Sequence, residues 1–170
     1  MPREVPVLIV GGGPIGLALA ADLGRLGVAA LLIEQNDDVV GSPKMIEVSV
    51  RTLEFCRQLG VAEQVRDWGF PLERPLDSAF VTSMDGYEIG RIFTPSLAQE
   101  RDSTFSPERT GPCPQTWFDP ILQRSARSHA NIALRYNLRL DRFAQDEDGV
   151  SVVVTDTKTG LREDIRCRYL

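Results

Sequence analysis

Cysteine and histidine are scarce in this sequence, whose 170 residues include 3 cysteines and 1 histidine. Cys56, Cys113 and Cys167 are odd in number and far apart, with no C-x-x-C pair and no zinc spacing. This pattern argues against a disulfide framework and against a zinc site. We predict that the three thiols are small buried apolar groups in a reducing compartment, with the cytoplasm as the default location.

Long apolar runs and blocks of like charge are also missing. No stretch reaches the roughly 20 apolar residues of a membrane-spanning helix, and the run Val5–Val10 is too short for a signal peptide. The 24 acidic and 19 basic residues give a net charge of -5 and are dispersed along the chain. We therefore expect neither a membrane nor a nucleic acid as a partner.

Catalytic constellations built from side chains are absent as well. The sequence offers no paired carboxylates, no nucleophile beside a base and no cluster of metal ligands for which chemistry is a better explanation than packing or solvation. His129 lies at the edge of an apolar helix face, where packing is its expected role. The sequence therefore assigns no catalytic residue and no metal site.

The first 34 residues, in contrast, carry a clear pattern. Val7–Val10 is a continuous apolar run, which predicts a strand buried on both faces. An amphipathic helix is predicted over Pro14–Leu26, and a second apolar strand over Val28–Ile33, closed by Glu34. Together they predict a strand–helix–strand crossover in a parallel sheet.

Later segments predict further helices, a hairpin and a meander. Helical spacing is present in Val48–Leu59 and in Asp119–Ala130, with Asp119 as the expected N-cap before Pro120. Asp85-Gly86 between two short strand patterns predicts a β-hairpin. The predicted later strands are Ala79–Val81, Glu88–Phe93, Ile132–Tyr136, Leu138–Phe143, Val150–Thr155 and Glu163–Arg168.

The junction between the first strand and helix fits G-x-G-x-x-G at Gly11, Gly13 and Gly16. Gly11 permits a tight turn, Gly13 lets a pyrophosphate approach the backbone, and Gly16 lets the helix pack close to the sheet. Pro14 suits the first helical position, and we include Ile15 in the binding set because the backbone N–H groups of a helix start face phosphates. The motif predicts a site for a dinucleotide with an ADP half.

Glu34 lies 18 positions beyond Gly16, close to the spacing that this motif requires. A carboxylate there can accept hydrogen bonds from both hydroxyls of the adenosine ribose and would repel a 2′-phosphate, which disfavours NADP at this site. We include the adjoining Gln35 in the same predicted site. The sequence thus predicts an α/β fold of Rossmann type, with a parallel sheet, a βαβ unit, an antiparallel β-meander and a hairpin. The loop alone does not separate FAD from NAD.

Three segments of the sequence stand out together: residues 11–20 with Glu34, then Ser42-Pro43-Lys44-Met45 with 50–54 and 59–61, then 113–122. They resemble the flavoprotein aromatic hydroxylases, the single-component monooxygenases that include p-hydroxybenzoate and phenol hydroxylases. Residues 11–20 are similar to the opening of that family, the second segment to its next conserved block, and residues 113–122 to its Pro-Gln…Glu-Pro-Leu-Leu stretch.

The resemblance implies that FAD is the bound cofactor. It assigns Lys44 to a position where the family often has an arginine near the flavin, although a lysine lacks the bidentate fork. It also implies that Arg51, in the same block, and Gln115 contribute to the cofactor site. NADPH or NADH would serve as transient reductant, O2 as oxidant, and a small aromatic molecule, usually a phenol, as the substrate that is hydroxylated in a site closed to water.

Tyr169-Leu170 matches a Tyr-Leu of the family that is followed by an Asp-Gly motif, a later Gly-Asp motif and most of a substrate domain. These parts of the family pattern have no counterpart in the 170 residues. We therefore expect residues 1–170 to be the N-terminal part of one FAD-binding domain, incomplete without its C-terminal remainder, with residues 76–112 reaching toward the substrate. Alone, the chain is expected to bind FAD weakly and to be inactive.

Three alternatives stay open at this point: a truncated non-catalytic dinucleotide-binding fragment, an FAD oxidoreductase of another reaction class, and an NAD-dependent dehydrogenase. Neither Trp68 nor Trp117 lies in the Trp-x-Trp-x-Ile motif of a halogenase. A dehydrogenase leaves the Pro-Gln segment unexplained.

Overall fold

The computed structural model describes residues 3–38, 41–99 and 105–170 of the chain. Part of the predicted segment 76–112, residues 100–104, therefore lies outside the described residues. The elements are, in chain order, β1 (Arg3–Val10), α1 (Pro14–Arg25), β2 (Ala30–Glu34), β3 (Glu47–Val48), α2 (Val50–Gln58), α3 (Ala62–Arg66), β4 (Ser78–Val81), β5 (Glu88–Ile92), β6 (Gly111–Pro112), α4 (Gln115–Arg127), β7 (Ile132–Tyr136), β8 (Leu138–Asp146), β9 (Gly149–Asp156) and β10 (Arg162–Tyr169).

The main sheet has six strands in the order β7-β2-β1-β10-β9-β8. Strands β7, β2, β1 and β10 pair in parallel, whereas β9 pairs antiparallel with both β10 and β8. The predicted crossover is formed by β1, α1 and β2, and β8 to β10 form the predicted meander. The expected α/β fold, with its parallel core and antiparallel meander, is confirmed.

Two apolar clusters lie on the two faces of β1 and β2. Leu32 packs with α1, α2 and α4, whereas its neighbours Leu31 and Ile33 pack with residues of the meander such as Val152 and Val154. Successive side chains of a strand point to opposite faces, so a strand covered on both sides must be apolar throughout. This is why the continuous run in β2 is buried.

Smaller elements show where long-range contacts outweigh local sequence signals. The hairpin of β4 and β5 forms as predicted, but α3 and the short pair β3–β6 were not predicted. Cys56, Cys113 and Cys167 are buried and free, as expected. None of the helices in the described part of the chain has the length and apolarity needed to cross a bilayer.

The prediction that Asp119 caps α4 was wrong. The predicted helix begins at Asp119, whereas α4 begins four residues earlier, at Gln115, with Pro114 as its N-cap. Pro120 therefore lies inside the helix. The early start follows from contacts with a distant loop, because the Gln115 backbone N–H donates to the Met45 carbonyl at 2.9 Å. The preference of proline for the first turn of a helix predicted a start next to Pro120. That preference depends on neighbouring residues only, so it could not take account of the contact with Met45.

Asp119 is consequently buried, with 6% of its surface exposed. Its Oδ2 accepts a hydrogen bond from Gln115 Nε2 at 2.9 Å, while Oδ1 has no partner among the described residues. Burial raises the pKa of this carboxyl above its usual value of 3.8, and the Gln115 hydrogen bond opposes that shift. Ionisation of Asp119 therefore costs more free energy in the folded chain than in the unfolded one.

Glu108 fixes the segment before β6 to the helices. It is 1% exposed, and Arg66 Nη1 donates to both of its oxygens at 2.7 Å. Arg57 Nη1 lies 3.2 Å from Oε1. Ser106 Oγ accepts from the Glu108 N–H and donates to Glu54. Arginines of α2 and α3 thus hold a carboxylate that has been removed from water.

We predict that Glu108→Ala destabilises the chain by about 2 kcal/mol, because it leaves two arginines without their shared partner. The matched control is Glu73→Ala, which removes an exposed carboxylate. Urea unfolding of both variants measures the difference. Equal midpoints for the two variants would contradict the anchoring role of Glu108.

We also predict that Asp119→Asn flattens the pH dependence of stability. The raised pKa means that the contribution of Asp119 is fully present below 3.8 and is lost as pH rises through its folded value. The variant should therefore gain stability relative to the native chain near neutral pH, and this advantage should fade in acid. Thermal unfolding at several pH values tests this, with the exposed Asp148→Asn as control. Parallel profiles for Asp119→Asn and the native chain would refute it.

Candidate cofactor site

The turn from β1 into α1 sets the position of the site. Gly11 has φ +112, a conformation that favours glycine, and its N–H donates to the Ile33 carbonyl at 2.8 Å. A Cβ on Gly16 would lie 2.0 Å from the Gly11 carbonyl oxygen. The helix therefore starts against the backbone of the turn, at the edge where β1 and β2 end.

The N-terminus of α1 is open. Its N-cap, Gly13, supplies no side-chain hydrogen bond, Pro14 occupies the first turn, and that turn has no acidic residue. The first backbone N–H groups of a helix have no partner within it and lie at the positive end of its dipole. Apart from its two chain neighbours, no described residue has an atom within 4 Å of the position that a Cβ on Gly13 would occupy. An anion can therefore reach this backbone directly.

Glu34, at the end of β2, lies beside this turn. Its Oε2 accepts the Gly12 N–H at 2.8 Å, and its Oε1 accepts both the N–H and the Nδ2 group of Asn36 at 2.9 Å. A Cβ on Gly12 would lie 2.8 Å from the Glu34 Cβ. The carboxylate is thus held between the glycine turn and the following loop.

These groups line one cleft of about 700 Å³. It contains five of the predicted site residues, namely Gly13, Pro14, Glu34, Lys44 and Gln115. The other residues that line it are Gly12, Leu17, Asn36, Asp37, Asp38, Gly41, Ser42, Asp119, Pro120, Gln123 and Tyr136. The residues that line the cleft extend from the glycine turn, past the end of β2, to α4.

Gln115 holds one wall of the cleft. Its Oε1 accepts the Lys44 backbone N–H at 2.9 Å, and its Nε2 donates to Asp119. An amide group has two N–H donors, so the described contacts leave one for a ligand. Gln115 therefore fixes the loop that carries Lys44 to the first turn of α4.

The remaining predicted residues lie elsewhere. Gly11 and Gly16 shape the turn without lining the cleft. Ile15 and Arg51 line a separate, mostly apolar groove between α1 and α2, and the Arg51 side chain is 91% exposed, with Nη1 3.1 Å from Glu54. Gln35 is exposed, and its carbonyl accepts a hydrogen bond from Thr157 Oγ1 at 3.2 Å.

Several residues that line this cleft were not predicted from the sequence. Asn36 could have been found from its place two residues after Glu34, since asparagine readily bonds to nearby groups. Gln123, which donates to the Tyr136 hydroxyl at 2.6 Å, left no signal in the sequence. Among the described residues, no group of three or more His, Cys, Asp or Glu side chains is placed so that it could hold a metal ion.

The chain is similar to known proteins over nearly all of its residues. The sequence profile of a family described as FAD binding domain matches residues 4–170. Tetracenomycin B2 monooxygenase-dioxygenase of Streptomyces olivaceus is 35% identical over 181 residues, which cover 98% of this chain and 33% of that protein. Phenol 2-monooxygenase of Pseudomonas sp. (strain EST1001) is 32% identical over 170 residues, which cover 98% of this chain and 28% of that protein.

Among solved structures, the rebeccamycin biosynthetic enzyme RebC with reduced flavin superposes with a TM-score of 0.87 and 38% sequence identity. The superposition covers 100% of this chain and 32% of RebC. The chain thus spans about a third of the length of the proteins that it matches. Since the family match extends over nearly all of its residues, the chain belongs to the FAD binding domain family.

Proposed function

We propose that the cleft at the start of α1 holds FAD, and that the chain is the FAD-binding part of a monooxygenase that hydroxylates an aromatic substrate, usually a phenol. NADPH or NADH would reduce the flavin, and O2 would be the oxidant. The observation that carries the proposal is that the open N-terminus of α1 and the carboxylate of Glu34 face the same cleft.

The adenosine half of FAD fits the described groups. The open backbone at Gly13 is suited to the diphosphate, because a helix N-terminus offers N–H groups and a favourable dipole. Glu34 is suited to the ribose, and its negative charge disfavours a 2′-phosphate. Lys44 also lines the cleft, and we assign it to the flavin half of the cofactor rather than to the diphosphate. The wall also carries several carboxylates, so we expect the diphosphate to depend on the helix terminus more than on side-chain charge.

For the flavin half we propose Lys44 and Gln115, which the hydrogen bond between the Lys44 N–H and Gln115 Oε1 keeps in place. FAD supplies the redox chemistry when bound, while the protein binds and orients it. Roles for Gln35, Ile15 and Arg51 stay predictions. Ile15 and Arg51 could contribute only to a part of the cofactor that extends beyond this cleft toward the α1–α2 groove.

We further propose that part of the segment 76–112 lies toward the substrate. Support comes from the hairpin β4–β5, which exposes Phe80 and Ile92, and from the 79% exposed Phe93 that follows. An isolated two-stranded hairpin is marginally stable in water, so its apolar side chains are suited to further contacts. The relatives named above include enzymes named for phenol and for tetracenomycin B2, and we propose that the substrate of this protein is an aromatic molecule.

The cofactor proposal predicts that Gly13→Ala weakens FAD binding about tenfold or more without destabilising the fold. Apart from the chain neighbours of Gly13, no described residue has an atom within 4 Å of the added methyl group, and φ −78 suits alanine. The methyl group would, however, stand where the diphosphate approaches. Quenching of flavin fluorescence during titration gives the affinity, and thermal unfolding gives the stability.

The matched control is Gly90→Ala, in β5, where an added Cβ likewise has no atom within 4 Å among the described residues, its chain neighbours apart. It should leave both affinity and stability unchanged. Equal FAD affinity for Gly13→Ala and Gly90→Ala would remove the diphosphate from this position.

The enzymatic proposal is tested on the protein produced from the whole reading frame that contains this chain. Phenols should accelerate its oxidation of NADPH or NADH, and ¹⁸O₂ should deliver one labelled oxygen atom to the aromatic product. Flavin reduction without oxygen incorporation would instead favour an FAD oxidoreductase of another reaction class. The 170 residues alone are still predicted to be inactive in this assay.

A further inference from the structure

The hydrogen bonds of Glu34 limit what this carboxylate can still bind. A carboxylate offers about four acceptor positions, two on each oxygen. Within the described part of the chain, three are filled: the two N–H donors of Asn36 bond to Oε1, and the Gly12 N–H bonds to Oε2. One position remains, and it is on Oε2.

Glu34 has little freedom to rearrange. Gly12 lies so close that even a Cβ there would be 2.8 Å from the Glu34 Cβ and 3.1 Å from its Cγ. On the other side, the Asn36 backbone N–H and side-chain amide both point to Oε1 at 2.9 Å. Moving Oε1 toward a ligand would break both bonds at once.

Asn36 is itself held by two turns that are distant in sequence. Its carbonyl accepts the Asn137 N–H at 2.9 Å, and Asn137 adopts φ 60, in the left-handed region. The Asn137 carbonyl accepts the Thr157 N–H at 2.8 Å, and Thr157 Oγ1 also donates to the Gln35 carbonyl at 3.2 Å. The loop after β2 is thereby tied to the β7–β8 turn and to the β9–β10 turn.

We propose that Asn36 is a specificity-determining positioning residue, which occupies Glu34 Oε1 so that the carboxylate recognises only one of the two hydroxyls of the adenosine ribose, through Oε2. This inference rests on the proposed binding of an adenine dinucleotide in the cleft. It replaces the expectation from the sequence that Glu34 accepts both hydroxyls. Asn36 needs no contact with the cofactor in this role, since it acts through Glu34.

The proposal is tested by comparing the affinities of ADP, 2′-deoxy-ADP and 3′-deoxy-ADP for the whole chain, measured by calorimetry. A hydrogen bond to a charged group contributes enough for its loss to weaken binding about tenfold or more. One of the two deoxy analogues should therefore bind about tenfold more weakly than ADP, and the other should bind like ADP.

Asn36→Ala removes the side-chain donor and frees a position on Oε1, so both deoxy analogues should now bind more weakly than ADP. A merely structural role for Asn36 would lower all three affinities together and leave their ratios unchanged. The control is Asn131→Ala, which removes an asparagine bond of the same kind, to the Val28 carbonyl at 2.8 Å, outside the cleft. It should keep the one-hydroxyl pattern of the native chain.

Equal weakening by both deoxy analogues in the native chain would overturn the proposal, because Glu34 would then accept two hydroxyls despite Asn36. Unchanged binding of both analogues would also overturn it, since Glu34 would not contact the ribose. In either case, intact ADP and FAD binding would leave the proposed function standing. Failure of both ADP and FAD to bind would defeat the proposed function and, with it, this inference.

Discussion

The close approach of α1 to the turn after β1 is the constraint on which the cofactor cleft depends. Any side chain at Gly16 would collide with the Gly11 carbonyl oxygen, which is 2.0 Å from the Cβ position. The helix can therefore approach the turn this closely only with glycine at position 16. This contact places the open end of the helix dipole at the ends of β1 and β2. The apolar side chains of β1 and β2, buried between helices and meander, keep that edge in place.

Two loops complete the cleft, and each is fixed by hydrogen bonds that join distant parts of the chain. The loop after β2 is held by Asn137 and Thr157, and the loop at Lys44 is held by Gln115. Loops anchored in this way can present backbone and side-chain groups in one defined arrangement, which lowers the ordering cost of binding. Burial of Asp119 behind Gln115 is one cost of this arrangement, since its Oδ1 lacks a partner within the described residues.

The crossover, the glycine turn and the place of Glu34 could be predicted from the sequence because their signals are local. Apolar runs, helical periodicity and glycine spacing each depend on neighbouring residues only. The start of α4 could not be predicted in this way, since it depends on the contact between Gln115 and Met45 across the fold. Ile15 belongs to the glycine motif and Arg51 to a resembling block, yet both line the α1–α2 groove and neither lines the cleft. Sequence proximity does not say which face of a helix a side chain takes.

The central proposal is that the cleft between Gly13 and Glu34 receives the adenosine diphosphate half of the cofactor. Titration of the ¹⁵N-labelled chain with ADP, followed by amide chemical shifts, tests this proposal most directly. We expect the largest shifts at the amides of Gly12, Gly13 and Asn36, with little change at Thr52 and Phe55 in the α1–α2 groove. Largest shifts in that groove, with none at the glycine turn, would contradict it.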